Sequence, residues 1–192
     1  MITEAEATKT IAQHRGDCVV LLGGAQYPEW PEGESDQPEL RFFASLGKCT
    51  SYGLGLALAR PDRRIIAFSG DGGLLSNLGS LVTIANMAPP NLVLFVFAND
   101  VWETTGGQPL PCAEGRMSLI GFARAAGFPK VYEFDQIDEF REHIENILNE
   151  AGPTFVCLKT ARGGKRFPSA RKLHEDVRDF KAALEKSLPQ AK

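Results

Sequence analysis

Short apolar runs alternate along the chain with stretches whose apolar positions recur at helical spacing. DCVVLLGG (17–24), RRIIAFSG (63–70), NLVLFVFAND (91–100), VYEF (131–134) and TFVCLKT (154–160) predict strands. Between them, TSYGLGLALAR (50–60), LLSNLGSLVTIANM (74–87), MSLIGFARAAGF (117–128) and HEDVRDFKAALEKSL (174–188) predict helices. A further helix is expected in DQIDEFREHIENILNEAG, with Asp135 as its N-cap and Gly152-Pro153 ending it. Ile137, Phe140, Ile144, Ile147 and Leu148 share one face of that helix. The segments 26–40 and 161–173 read as irregular, and no element is assigned to the polar start MITEAEATKTIAQHRGD.

Strands apolar on both faces, each followed by a helix, imply an α/β fold. The expected architecture is a doubly wound, mainly parallel sheet with helices on both faces. At 192 residues and 43% hydrophobic content, the chain is expected to form a single domain over 1–192, with 161–192 a basic C-terminal segment carrying the final helix.

Composition narrows the function classes. No apolar run is long enough to span a bilayer, and the N-terminus carries acids unlike a cleavable signal, so a cytoplasmic protein is expected. A formal net charge of −3 argues against a nucleic-acid binder. The charge is uneven: YPEWPEGESDQPE (27–39) is acidic and the last thirty or so residues are basic, which fits solvated faces or an inter-subunit contact. Cys18, Cys49, Cys112 and Cys157 form no C-x-x-C pair and read as small thiols rather than zinc or cluster ligands. His14, His143 and His174 read as surface residues, none of them at a strand end.

In a sheet of this kind, ligands sit at the carboxyl ends of the strands. Gly23-Gly24-Ala25, Gly70-Asp71-Gly72-Gly73 and Asn99-Asp100 occupy three such ends. Glycines before a helix let backbone approach phosphate oxygens, although the same pattern also makes a simple tight turn. Asp71 is the residue that does not fit phosphate alone, because a carboxylate beside phosphate repels it. A divalent cation between them removes the conflict, and Mg²⁺ suits a site of one or two protein oxygens plus phosphates. Asn99 follows Asp71 by one helix and one strand, so a single crossover brings a second oxygen ligand to the same cation.

These residues resemble the diphosphate-binding module of thiamine-diphosphate enzymes, whose motif is GDG, a spacer of about thirty residues holding a helix and a strand, then asparagine. Here it reads GDGGLLSNLGSLVTIANMAPPNLVLFVFAND, with similarity continuing into RFFASLGKCTSYGLGLALARPDRRIIAF and VWETTGGQP. Among these enzymes the chain is most similar to the small (β) subunit of sulfopyruvate decarboxylase and the matching part of phosphonopyruvate decarboxylase. The resemblance implies thiamine diphosphate and Mg²⁺ as cofactors. Asp71, the Asn99 side-chain oxygen and the Val101 carbonyl would bind the metal. Gly23, Gly24, Ala25, Gly70, Gly72 and Gly73 would offer backbone to the diphosphate.

Ala44-Ser45-Leu46-Gly47 matches the segment that holds the aminopyrimidine, with Leu46 as the apolar support that bends the cofactor into its catalytic V shape. Ala44 stands where glycine is usual. Lys48 follows where an uncharged residue is commoner, and it either meets an anionic substrate or points to solvent. The Thr104-Thr105-Gly106-Gly107-Gln108 loop is expected to close over the cofactor. Trp102 and Glu103 are placed at the substrate entrance, where Trp102 serves equally well as packing.

In this family the glutamate that activates the pyrimidine comes from a separate module, which a chain of this length does not hold as well. A pyrimidine-binding α subunit is therefore expected as partner, with a dimer of this chain inside a hetero-oligomer. The implied activity is decarboxylation of a small 2-oxo acid. Alternatives are a two-component carboligase or transketolase-like enzyme, and a 2-oxoacid:ferredoxin oxidoreductase β-like subunit. The latter is disfavoured by the lack of cluster cysteines.

Overall fold

The strands' alternating side chains divide the core into two layers, one on each face of a six-stranded parallel sheet. The computed structural model describes residues 1–23, 29–31, 36–42, 46–111, 115, 117–163 and 173–187. In chain order the elements are α1 (Glu4–His14), β1 (Val19–Gly23), β2 (Glu39–Phe42), α2 (Cys49–Ala59), β3 (Ile65–Gly70), α3 (Asp71–Leu75), α4 (Ser80–Met87), β4 (Leu92–Ala98), β5 (Val101–Trp102), β6 (Gln108–Pro109), α5 (Leu119–Ala126), β7 (Lys130–Phe134), α6 (Ile137–Asn149), β8 (Thr154–Lys159) and α7 (Leu173–Lys186). The sheet order is β2-β1-β3-β4-β8-β7 with every pairing parallel, and β5 and β6 form a separate antiparallel hairpin. The expected doubly wound α/β architecture is what forms.

On one face Val19, Leu21, Ile65, Ala67, Leu92, Leu94, Val96, Phe155 and Cys157 pack with residues of α2, α4, α5 and α7. On the other, Val20, Leu22, Ile66, Phe68, Val93, Phe95, Phe97, Val156 and Leu158 pack with α1 and α6. Period-two alternation within each strand produces this split. All seven residues of β4 are buried, which places it at the centre. Phe68 sits edge-on to Trp30 at 5.5 Å and to Phe95 at 5.8 Å, and Phe95 meets Phe140 of α6 at 6.1 Å. Each such ring contributes about 1.5–3 kcal/mol by burial.

Four features differ from expectation. The polar N-terminus folds as α1, because Thr3 and Glu6 form a capping box. The Glu6 N–H donates to Thr3 Oγ1 at 3.2 Å and the Thr3 N–H donates to Glu6 Oε2 at 3.0 Å. Glu39–Phe42, which begins at the end of the stretch read as irregular and runs past it, becomes edge strand β2. Buried Arg15 makes an ion pair with Glu39, donates to the carbonyls of Cys18 and Pro38, and lies over the Trp30 ring, tying that edge to α1. The helix read over 74–87 is two helices, α3 and α4, separated by a turn at 76–79. Its Ser-Asn-x-Gly sequence favours turns over helix. Asp135 is not the cap of α6: Gln136 holds the N-cap position, with no side-chain hydrogen bond.

The chain runs from β1 to β2 on one side of the sheet and then to β3 on the other. That reversal opens a crevice at the carboxyl ends of β1 and β3, the position where such sheets bind ligands. Among the described residues, no helix is long and apolar enough to cross a membrane.

Candidate cofactor and metal site

Asp71 opens α3 directly after β3, with Gly70 in extended geometry as its N-cap. The β3–β4 register sets Gly70 beside Phe97, so the chain end of β4 delivers Asn99 next to Asp71. Asp71 is 2% exposed and Asn99 7%. The Gly72 N–H donates to Asp71 Oδ1 at 2.8 Å and the Asp100 N–H donates to Oδ2 at 2.7 Å. Asp100 adopts the left-handed conformation, with φ of 62°, and this turns its N–H onto the carboxylate.

Burial pushes the Asp71 carboxyl up from its ordinary 3.8 to about 6, against the pull of the Asp100, Gly72 and Asn99 N–H groups; the nearby Asp100 charge raises it further. A positive charge beside the carboxylate would oppose that burial penalty. The folded carboxyl keeps its proton to higher pH than the unfolded one. Its stabilising contribution is therefore full below about pH 4 and is lost as pH rises through about 6. Thermal melts of the cofactor-free chain are expected to show a midpoint falling across that window, and Asp71→Asn to lack the fall.

Asn99 Oδ1 accepts from the Val101 N–H at 3.2 Å, and its Nδ2 donates to Glu103 Oε2 at 2.9 Å. Val101 pairs with Pro109, which has no N–H, and the flanking bond runs from the Leu110 N–H to the Asp100 carbonyl at 2.9 Å. That makes Val101–Pro109 a non-hydrogen-bonded pair, so the Val101 N–H faces away from β6 and toward Asn99. The Asp71 carboxylate and the Asn99 amide oxygen are hard oxygens at the adjoining ends of β3 and β4, and the Val101 carbonyl lies two residues beyond Asn99; oxygen donors of these types fit Mg²⁺.

Leu46 is 55% exposed, in the turn before α2. Gly47 has φ of 73°, and a Cβ there would lie 2.8 Å from the Gly73 carbonyl, so only glycine lets this turn sit against α3. Asn77 Nδ2 donates to the Gly47 carbonyl at 2.8 Å and to Ser51 Oγ at 3.1 Å, and Ser80 Oγ donates to Thr50 Oγ1 at 2.9 Å. Asn77 and Ser80 were missed because 74–87 read as one helix. The SNLGS run at its centre was the available clue. Trp102 lies over the start of α3, where a Cβ on Gly72 would meet its ring at 2.7 Å.

Thr104 and Thr105 are exposed on a short 3-10 turn, Glu103–Thr105, and Gln108 Nε2 donates to the Thr105 carbonyl at 3.0 Å. Gly24, Ala25, Ala44 and Ser45 lie outside the described residues. The structure therefore brings together Asp71, Asn99, Val101, Gly70, Gly72, Gly73, Trp102 and Leu46. Gly23 stands at the neighbouring strand end. Cys49 and Cys157 are buried, with burial pushing each thiol up to about 12, which leaves them unreactive.

This chain belongs to the thiamine pyrophosphate enzymes: residues 24–158 match the model of their C-terminal TPP binding domain. Within that class its relatives include decarboxylases of two kinds, as well as acetolactate synthases of Nicotiana tabacum at 24% identity. It is 30% identical over 154 residues to sulfopyruvate decarboxylase subunit beta of Methanocaldococcus jannaschii, covering 79% of this chain and 80% of that subunit. It is 35% identical over 119 residues to phosphonopyruvate decarboxylase of Streptomyces viridochromogenes, covering 62% of this chain and 29% of that enzyme. The thiamine diphosphate-dependent 4-hydroxybenzoylformate decarboxylase of Rhodococcus jostii shares the fold, with a TM-score of 0.68 at 16% identity over 85% of this chain and 33% of that one. The chain thus spans most of the β subunit but about a third of the larger enzymes.

Proposed function

We propose that this chain is the diphosphate-binding subunit of a two-component thiamine-diphosphate- and Mg²⁺-dependent 2-oxoacid decarboxylase, acting on a substrate of the sulfopyruvate or phosphonopyruvate type. The observation that carries the reading is the buried Asp71 carboxylate at the end of β3, bonded by the Asp100 N–H next to Asn99 at the adjoining end of β4, in a member of this family. Thiamine diphosphate supplies a nucleophilic carbon and an electron sink for the bond that breaks when a 2-oxo acid loses CO₂.

The chain's own residues bind and position. Asp71, Asn99 and Val101 hold the metal that neutralises the diphosphate. Gly23, Gly24, Ala25, Gly70, Gly72 and Gly73 offer backbone to the diphosphate. Ala44, Ser45 and Leu46 support the pyrimidine side, and Trp102, Thr104 and Thr105 cover the cofactor. In this reading a pyrimidine-binding α subunit contributes the glutamate, and the two chains assemble as a hetero-oligomer in the cytoplasm.

Exposed apolar surface beside the site supports a partner. Leu46 leads into α2, whose residues 49–59 carry no charge and whose Tyr52 and Leu58 are 49% and 47% exposed. A helix apolar all round is normally covered on all sides.

The test is co-expression with a gene product bearing a pyrimidine-binding module, followed by an assay of CO₂ release from sulfopyruvate and phosphonopyruvate. Release that needs both chains, thiamine diphosphate and Mg²⁺ is the expected result. Full turnover by this chain alone, or none from either substrate with the partner present, would overturn the assignment.

A further inference from the structure

An asparagine side chain offers oxygen on one side of its amide and NH₂ on the other, and only the oxygen can ligate Mg²⁺. Something must decide which side faces the cation. We propose that Glu103 is the positioning residue that fixes the Asn99 amide with its oxygen toward the metal. This rests on the reading of Asn99 as a metal ligand.

Two contacts at opposite ends set the orientation. Asn99 Nδ2 donates to Glu103 Oε2 at 2.9 Å, and Oδ1 accepts from the Val101 N–H at 3.2 Å. A flipped amide would set its oxygen against a carboxylate that has nothing to donate. It would also set its NH₂ against a backbone N–H that cannot accept. The Glu103 contact is the shorter of the two, and its oxygen only accepts, so it favours the amide's NH₂ side over its oxygen. With Asn99 7% exposed, water has little room to substitute for either partner.

Glu103 is itself held in place. Its 3-10 turn is closed by the Gly107 N–H donating to the Trp102 carbonyl at 3.0 Å, and the hairpin below by Leu110 donating to Asp100. Its other oxygen, Oε1, faces the chain leaving β8, where a Cβ added to Gly163 would stand 2.7 Å away. One carboxylate thus lies between the exit of β8 and Asn99 at the exit of β4.

The experiment titrates Mg²⁺ against thiamine diphosphate binding by the full-length chain, using calorimetry, for wild type, Glu103→Ala and Glu103→Gln. Glu103→Ala is expected to raise the Mg²⁺ concentration for half-saturation about 10- to 100-fold, the scale for outer partners of metal ligands. Glu103→Gln keeps an amide oxygen that can accept from Asn99 Nδ2, and it is expected to stay near wild type. In an Asn99→Asp background both ligand oxygens are equivalent, so Glu103→Ala is expected to cause no further loss. A metal-free readout accompanies these: the Asn99 side-chain NH₂ signals in nitrogen-15 NMR should shift in Glu103→Ala and hold in Glu103→Gln.

Equal losses in the Ala and Gln variants mean that Glu103 acts by charge, and unchanged affinity with unmoved NH₂ signals means that it does nothing. Either result overturns the inference while leaving the metal site intact. Wild-type binding with no Mg²⁺ dependence instead overturns the metal reading itself, and this inference with it.

Discussion

Asp71→Ala, in complex with the pyrimidine-binding partner, is expected to lower CO₂ release on the order of 10²–10³-fold, the scale for removing one group that stabilises developing charge. Its fold is expected to survive. The substitution leaves the N–H groups of Gly72 and Asp100 without their acceptor, a cost of about 1–3 kcal/mol for each buried donor left unpaired. It also removes a carboxylate whose ionisation burial opposes at neutral pH, which offsets part of that cost. Circular dichroism should therefore match wild type while activity collapses. Raising Mg²⁺ should restore only part of the rate, because water replaces the lost oxygen at the metal without the carboxylate's charge. A variant with unchanged CO₂ release sinks the assignment of Asp71 to the metal; one that fails to fold is replaced by Asp71→Asn, which keeps an acceptor for one of the two N–H groups.

Asp71 stands out in the sequence because it breaks a local rule. A carboxylate after a glycine turn has no place in a bare phosphate loop, and the buried Asp71 with its raised pKa shows that tension in three dimensions. The sheet was legible for the opposite reason. VVLLG, IIAFSG and LVLFVFA obey both the strand period and the two-faced burial of a parallel sheet.

What escaped was set by contacts distant in sequence. Nothing within residues 26–40 announces β2, which depends on Arg15 reaching Glu39 and the Pro38 carbonyl from 23 or 24 positions away. The Glu103–Asn99 contact is only four residues apart. It depends, however, on the turn at Asp100 and on the β5–β6 hairpin, neither of which periodicity shows. The break between α3 and α4 was readable from SNLGS, yet the apolar spacing on either side of it suggested continuity.

Gly23→Ala is expected to be the most damaging single methyl at the site's edge. Gly23 was placed at the diphosphate, but its smallness already serves packing: a Cβ would lie 2.3 Å from Cys49 Sγ and 2.8 Å from the Phe68 carbonyl. The first distance requires α2 to retreat from its amino end, and the second presses on the β3 backbone. Overpacking of this kind costs about 3 kcal/mol, the upper part of its usual range, and a chain of this size then melts roughly 6–12 °C lower. Because Cys49 begins α2 two residues after Gly47, the retreat also draws Leu46 away from Gly73, so thiamine diphosphate affinity should fall with the melting temperature. Cys49→Ala alone vacates only a buried thiol. Combined with Gly23→Ala, it removes the sulfur clash and leaves the carbonyl clash, so the double variant should recover part of the lost stability. Melting curves of the four proteins decide the matter. Non-additive recovery supports the close approach of β1 to α2, and strictly additive losses would show that the two residues do not touch.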